Sequence, residues 1–238
     1  MRFLLTLLLA ACPAALQAQQ KKVNFDSADK CRLEAFYLAP SSGPLIFINI
    51  HGLGSSKNEW APFQEELKKA GYGYLSLDLR GHNNSRSCAG KAADYKKFTK
   101  ENWLAASADI EAAGGWLISK GMPPGNIVYC GASIGANLAI KAAAEGAVKP
   151  GALILLSPGL DYAGVRAEEY FFAAGAPRAL VVAAGNDPYA WESSTQLVKA
   201  ARNRARQADF LTGGSGHGVD MLKNPRVSAG ILRWAGKR

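Results

Sequence analysis

"NIVYCGASIGANLAI", Asn126–Ile140, decides the fold. Its opening "NIVYCG" is a short apolar run with β-branched and aromatic residues, which reads as a buried strand. From Ile134 the chain turns alanine-rich and runs to Gly146, which reads as a helix ended by glycine. Ser133 stands at the junction, with Gly131 and Gly135 two residues to either side. Such a serine is either a nucleophile held on a sharp turn or a small residue in a glycine-rich turn. The pattern does not separate the two; its context does. A sharp strand-to-helix turn strains the central residue and crowds its neighbours, and glycine has no side chain to clash there. The helix start below it would offer N–H groups and a positive dipole end to a developing oxyanion.

Outward from this stretch the same alternation recurs. "LIFINI" (Leu45–Ile50), "YGYLSLDL" (Tyr72–Leu79), "ALILLS" (Ala152–Ser157), "RALVVAAG" (Arg178–Gly185) and "ADFLTG" (Ala208–Gly213) read as strands. "RLEAFYLA" (Arg32–Ala39) alternates and reads as a half-exposed one. Helical stretches fall between them, at Glu59–Gly71, Asn102–Lys120 and Trp191–Arg206, with a closing helix interrupted at Pro225. Helices alternating with continuous apolar strands predict an α/β fold: a doubly wound, mostly parallel sheet of about six to eight strands with helices on both faces. The chain has 238 residues, no internal repeat and no linker, so residues 19–238 are expected to form one domain. Ser157–Pro177 is the longest stretch in the second half without a core element, which leaves room for a small lid within 158–177.

"MRFLLTLLLAACPAALQAQQ", Met1–Gln20, has one positive charge, a short apolar run and then small residues. That is the pattern of a secretory signal, too short to span a bilayer. Cleavage after Ala18 would release an exported protein, periplasmic or secreted. Alternatively, "LAAC" (Leu9–Cys12) resembles a bacterial lipobox, which would lipidate Cys12 and anchor the chain to a membrane. The chain has four cysteines, and three remain if Cys12 leaves with the signal. Export permits a disulfide, with Cys31 and Cys88 the candidate pair; Cys130 ends an apolar strand and reads as a small core residue. The formal net charge is +9, with small basic groups at Lys96–Lys100 and Arg202–Arg206. No aromatic-interleaved basic stripe and no nucleic-acid motif accompanies it, so the charge reads as solvated surface and nucleic acid is not an expected partner. No Cys/His spacing suggests a metal.

A serine hydroxyl needs a base, and the chain has three histidines. His217 lies in "TGGSGHGVD", where a glycine-rich loop follows the last strand. Asp187 follows "LVVAAGN", just past the penultimate strand, and would orient that base; Asp161 in "LSPGLDY" is the alternative acid. Ser133, Asp187 and His217 each follow a strand at its carboxyl end, the edge at which open α/β sheets bind ligands. "NIHGLGSS" after Leu45–Ile50 would supply the Leu53 N–H, which with the Ile134 N–H makes an oxyanion hole. His51 and His82 read as structural, holding loops by hydrogen bonds. Tyr162, Tyr170, Phe171, Phe172, Tyr189 and Trp191 lie near the expected mouth, where they read as packing or as an acyl pocket.

The chain resembles an α/β-hydrolase-fold serine hydrolase. "GASIG" matches the nucleophile elbow, "HGLG" the oxyanion loop, "DLRGHNNS" the D-x-R-G-H-G-x-S segment, and "GND" and "GHG" the acid and base loops. The resemblance covers Leu45 to the C-terminus and is strongest to small carboxylesterases and dienelactone-hydrolase-like proteins. Dienelactone hydrolases proper carry Cys at the elbow, where this chain has Ser133. The resemblance implies ester hydrolysis with Ser133 as nucleophile, His217 as general base and acid and Asp187 as its orienter, on a small-molecule ester or acyl substrate, with no cofactor and no metal. A peptidase or amidase and an acyltransferase share the same triad, and an inactive binding protein on the same fold is the reading from another class.

Overall fold

The computed structural model describes residues 19–173, 176–204 and 206–237; residues 1–18, read above as a secretory signal with Cys12, lie outside the described residues. In chain order the strands are β1 (Lys21–Asp26), β2 (Cys31–Leu38), β3 (Ile46–Ile50), β4 (Gly73–Leu77), β5 (Ser87–Cys88), β6 (Lys91–Ala92), β7 (Ile127–Ala132), β8 (Ala152–Leu156), β9 (Asp161–Tyr162), β10 (Val165–Arg166), β11 (Arg178–Ala183) and β12 (Ala208–Thr212). The α-helices are α1 (Ala61–Lys69), α2 (Lys100–Ala105), α3 (Ser107–Ser119), α4 (Ile134–Glu145), α5 (Ala167–Phe171), α6 (Pro188–Asn203) and α7 (Pro225–Gly236).

Every residue of β3 is buried. A strand reaches that state only with neighbours on both edges and helices on both faces. β3 runs parallel to β4 and β7, β8 continues beside β7, and β11 and β12 follow in parallel. The antiparallel β1–β2 hairpin closes the other side against β4. The sheet therefore has eight principal strands, within the expected range, and the two-residue pair β5–β6 lengthens one edge to ten. Side chains alternate within the continuous apolar runs. Ile46, Ile48, Ile50, Tyr129 and Leu155 pack against Ile110 of α3 and Leu138 of α4. Phe47, Val128, Cys130 and Ile154 face the opposite way, against Phe63 of α1 and Ile231 of α7. Each large apolar side chain buried this way stabilises the fold by about 1.5–3 kcal/mol relative to exposure.

Register sets the site. Ile50 pairs with Gly131, Ala132 with Leu156, Leu156 with Val182, and Ala183 with Thr212. The residues that follow these ends, at His51, Ser133, Ser157, Ala184 and Gly213, therefore leave the sheet along one edge.

Three local outcomes differ from the sequence reading or refine it. "KKVNFD" shows too little apolar character to read as a strand, yet forms β1 by pairing along all of its residues with β2. The helix expected over Asn102–Lys120 is two, α2 and α3. Single-turn bonds from the Ala106 N–H to the Trp103 carbonyl and from the Asp109 N–H to the Ala106 carbonyl break it. The break coincides with a buried Asp109 whose Oδ2 accepts the Arg80 N–H at 2.7 Å and whose Oδ1 accepts from Arg80 Nε at 2.9 Å. The segment read as a possible lid holds the β9–β10 hairpin and α5. Asn137 of α4 clamps it: its Nδ2 donates to the carbonyls of Gly159 at 2.9 Å and Val165 at 2.8 Å, and its Oδ1 accepts the Gly159 N–H at 3.2 Å. Cys31 and Cys88 are joined in a disulfide, and Cys130 is a free, buried thiol.

Candidate active site

Ser133 ends β7 and caps α4 with φ 55° and ψ −126°, in the positive-φ region that side chains avoid. Its neighbours explain why the turn needs glycine. A Cβ on Gly131 would fall on the Gly135 carbonyl oxygen, and one on Gly135 would come within 2.5 Å of the carbonyl oxygens of Ile50 and His51. α4 is thus pressed against the end of β3 with no space for a methyl group. The Ser133 N–H donates to the Leu156 carbonyl at 2.8 Å, which ties the turn to β8.

His217 enters on the loop after β12. Its Nδ1 lies 2.6 Å from Oδ2 of Asp187, and the ring is half-exposed while the carboxylate is mostly covered. Two further bonds steady that loop: Asn186 Oδ1 accepts the Gly216 N–H at 3.0 Å and Ser157 Oγ accepts the Gly218 N–H at 2.9 Å. Ser133 and His217 line one cleft of about 470 Å³ with Gly52, Leu53 and Glu59. Asp161 lies in the β9–β10 hairpin, where its Oδ1 accepts the Gly164 N–H at 2.7 Å and closes the turn. The structure brings Asp187, and not Asp161, to the histidine.

The loop that carries Leu53 is pinned from three directions. His51 Nε2 accepts the Leu79 N–H at 3.0 Å, so its proton sits on Nδ1, which donates to the Gly52 carbonyl at 2.7 Å. His82 Nε2 accepts the Gly54 N–H at 3.3 Å, and its Nδ1 donates to the Arg80 carbonyl at 2.9 Å. Both rings must be neutral to make these bonds. Burial lowers both pKa values, and with the nearby His82 it takes that of His51 to about 4. Glu59 accepts the Gly52 N–H at 3.1 Å, and burial raises the pKa of its carboxyl. Leu53 itself is 60% exposed and forms the rim of the cleft. Ile134 is the first residue of α4, where a helix leaves its N–H groups without intrahelical partners.

Tyr162 stands on the β9–β10 hairpin beside these groups. Its ring packs edge-on 6.4 Å from that of His217, and its hydroxyl donates to the Ser157 carbonyl at 3.4 Å. Burial, followed by the charge of Asp187, raises the phenol to about 12, so it remains a neutral donor. Tyr189 braces the hairpin, its hydroxyl donating to the Asp161 carbonyl at 2.8 Å and accepting the Asp161 N–H at 3.0 Å. Phe171 is fully buried, and Trp191 packs edge-on against Phe210, so both belong to the packing. Tyr170 and Phe172 are partly buried against the core, and Phe172 also packs edge-on against Phe171. Among the described residues no cluster of three or more His, Cys, Asp or Glu is arranged to hold a metal.

A family model described as the alpha/beta hydrolase family matches residues 45–234. The chain belongs to the alpha/beta hydrolase family. No curated protein matches its sequence. Among solved structures, an esterase of Pyrococcus furiosus superposes with a TM-score of 0.71 at 19% identity, over 96% of this chain and 96% of that one. A dienelactone hydrolase from Anabaena variabilis gives 0.65 at 18% identity, over 93% and 96%. A bacterial heroin esterase gives 0.70 at 16% identity, over 94% and 85%. At these identities the likeness concerns the fold.

This alpha/beta hydrolase uses residues at the site that the sequence did not single out. Glu59, Asn137 and Ser157 touch the site loops but lie in no motif, and Asn186 stands inside "GND", where only Asp187 was given a role. Ser157 shows one signal in retrospect: it is a polar residue ending a fully apolar strand, on the edge from which Ser133 also leaves. It is fully buried with φ 51°. Ser157→Ala leaves the Gly218 N–H buried without its acceptor, at a cost of about 1–3 kcal/mol. If His217 serves as the base, displacing it is expected to lower kcat by up to about 10²-fold. Thermal unfolding and ester turnover of the variant measure the two effects.

Proposed function

We propose that this chain is a serine hydrolase that cleaves carboxylic esters through an acyl-enzyme on Ser133. The observation that carries the reading is the Asp187–His217 contact of 2.6 Å on the cleft that Ser133 lines from a strained elbow. His217 Nε2 takes the hydroxyl proton as Ser133 Oγ attacks the ester carbonyl carbon. The carbonyl π electrons move to oxygen, and the Leu53 and Ile134 N–H groups hold that oxyanion. Collapse of the tetrahedral intermediate breaks the bond to the leaving oxygen, which receives the proton from His217. Water then repeats the sequence on the acyl-enzyme and releases the acid. Asp187 accepts from Nδ1, keeps the free Nε2 turned to the serine and stabilises the imidazolium.

The open cleft suits a small-molecule ester with a short acyl group, and the esterases among similar solved structures agree in reaction class. Export, or anchoring through Cys12, is part of the same proposal and places the chemistry outside the cytoplasm. A fluorophosphonate probe is expected to label Ser133 of the mature protein. A series of p-nitrophenyl esters is expected to turn over fastest between acetate and butyrate. A folded protein that takes no label and hydrolyses no ester overturns the reading in favour of an inactive binding protein. Turnover of aminoacyl amides without esters moves it to a peptidase.

A further inference from the structure

The positive charge of the chain is unevenly placed. Between Gly81 and Lys100 lie five basic side chains and one acidic one, close to half of the formal net charge of +9. The structure fixes this segment beside the site. The Cys31–Cys88 disulfide and the β5–β6 pair tie it to the sheet edge, and the Tyr95 N–H donates to the Gly81 carbonyl at 3.3 Å. Tyr95 stacks on His82 with ring centroids 4.1 Å apart, and His82 in turn accepts the Gly54 N–H of the oxyanion loop.

A groove of about 780 Å³ opens there, lined among others by Gly54, Ser55, Arg86, Tyr95, Lys96 and Lys97. Ser55 lines both this groove and the cleft that holds Ser133 and His217, so the two adjoin. Both volumes fall in the range of about 300–1,000 Å³ usual for ligand sites. Arg86, Lys96 and Lys97 are exposed, and among the described residues none has an ion-pair partner. The one acid on the groove, Asp94, is occupied in capping a turn, its Oδ1 accepting the Lys96 N–H at 3.1 Å. Nearby cations without partners raise the local concentration of anionic ligands and steer their approach.

We infer that this groove is a substrate subsite for anions, and that the ester hydrolysed at Ser133 is carried on a molecule bearing carboxylate or sulfate groups. The inference rests on the serine-hydrolase reading for its chemistry and on the groove for its specificity. The ester occupies the cleft while the anionic part of the same molecule crosses Gly54 and Ser55 to Arg86, Lys96 and Lys97.

The test uses three acetylated polymers of matched length: neutral dextran, carboxymethyl dextran and dextran sulfate. At low salt, kcat/KM is expected to be at least about tenfold higher on one or both anionic polymers than on dextran. The advantage should fade as salt approaches molar levels, where exposed charges are screened within about 3 Å. The two anionic arms tell carboxylate from sulfate. Arg86→Glu/Lys96→Glu/Lys97→Glu is expected to bring the anionic-to-neutral ratio to one, its unfolding midpoint reporting that it is folded. A control, Lys199→Glu/Arg202→Glu/Arg226→Glu, removes the same charge elsewhere and should keep the ratio. Equal rates on all three polymers, or equal loss of the ratio in both triple variants, overturns the subsite. Retention of a Ser133→Ala protein on immobilised dextran sulfate, with and without the groove substitutions, reads the groove even if no ester is turned over. Failure of the serine-hydrolase reading alone would show as absent labelling and turnover with groove-dependent retention intact.

Discussion

Ser133→Ala is expected to lower kcat on p-nitrophenyl acetate by about 10⁴–10⁶-fold, because in the proposed mechanism it removes the nucleophile and with it the covalent route. A residual rate above water should remain from the oxyanion donors and from binding. The companion Ser133→Gly separates chemistry from strain. Ser133 holds φ 55° and ψ −126°, a conformation that costs a side-chain-bearing residue about 1–3 kcal/mol and glycine little. Glycine should therefore abolish turnover as alanine does while raising the unfolding free energy by roughly 1 kcal/mol, the low end of that strain. Alanine keeps the Cβ and gains nothing. The strain persists because the surroundings hold it: the Ser133 N–H is bonded to Leu156, and both flanking glycines are closed in by backbone. Activity that survived in Ser133→Ala, or a Ser133→Gly variant less stable than wild type, would break the link between this turn and the reaction.

The parallel core was legible because its physics is local. Ile46–Ile50 and Ala152–Leu156 are apolar at nearly every position, and a strand buried on both faces needs that. The elbow was legible because Gly131 and Gly135 stand where backbone meets backbone. Other features depend on partners distant in sequence. β1 is polar at alternate positions and becomes a strand only because β2 offers a complete edge. The kink between α2 and α3 accompanies a buried pair, Arg80 with Asp109, that no helical period encodes. Lys57, buried against Asp78 at 2.5 Å and Glu34 at 2.9 Å, likewise depends on partners that no local pattern marks. The supporting residues of the site belong to this class. Ser157 and Asn137 act on backbone groups of loops far away in sequence, and Glu59 reaches back seven residues to the Gly52 N–H, which leaves no common spacing to recognise. The two readings of the net charge show the same limit, since scattered basic residues became a groove only once the disulfide and the His82–Tyr95 stack placed them.

Asp187→Asn is expected to lower kcat about 10⁴-fold on the same ester, while Asp161→Asn stays within about twofold of wild type. In sequence the two acids were rivals, each just past a strand at the same sheet edge. Their hydrogen bonds divide them. Asp187 Oδ2 sits 2.6 Å from His217 Nδ1, and its Oδ1 lies at the start of α6, 3.5 Å from the Ala190 N–H. An asparagine there can present its NH₂ to Nδ1, which stabilises the tautomer with the proton on Nε2. That tautomer cannot accept the serine proton, and the imidazolium loses its counter-charge as well. Asp161 Oδ1 accepts a turn N–H from Gly164, a bond that an asparagine oxygen makes equally well. KM provides the control: a triad acid alters the chemical step, so the loss should fall on kcat with KM little changed. If Asp161→Asn carried the loss and Asp187→Asn did not, the hairpin would have to swing toward His217 during turnover. The Asn137 clamp on Gly159 and Val165 and the Tyr189 bonds to Asp161 would all have to break for that movement. At about 0.5–1.5 kcal/mol for each such bond, the rearrangement carries a penalty that the 2.6 Å contact already in place at Asp187 does not.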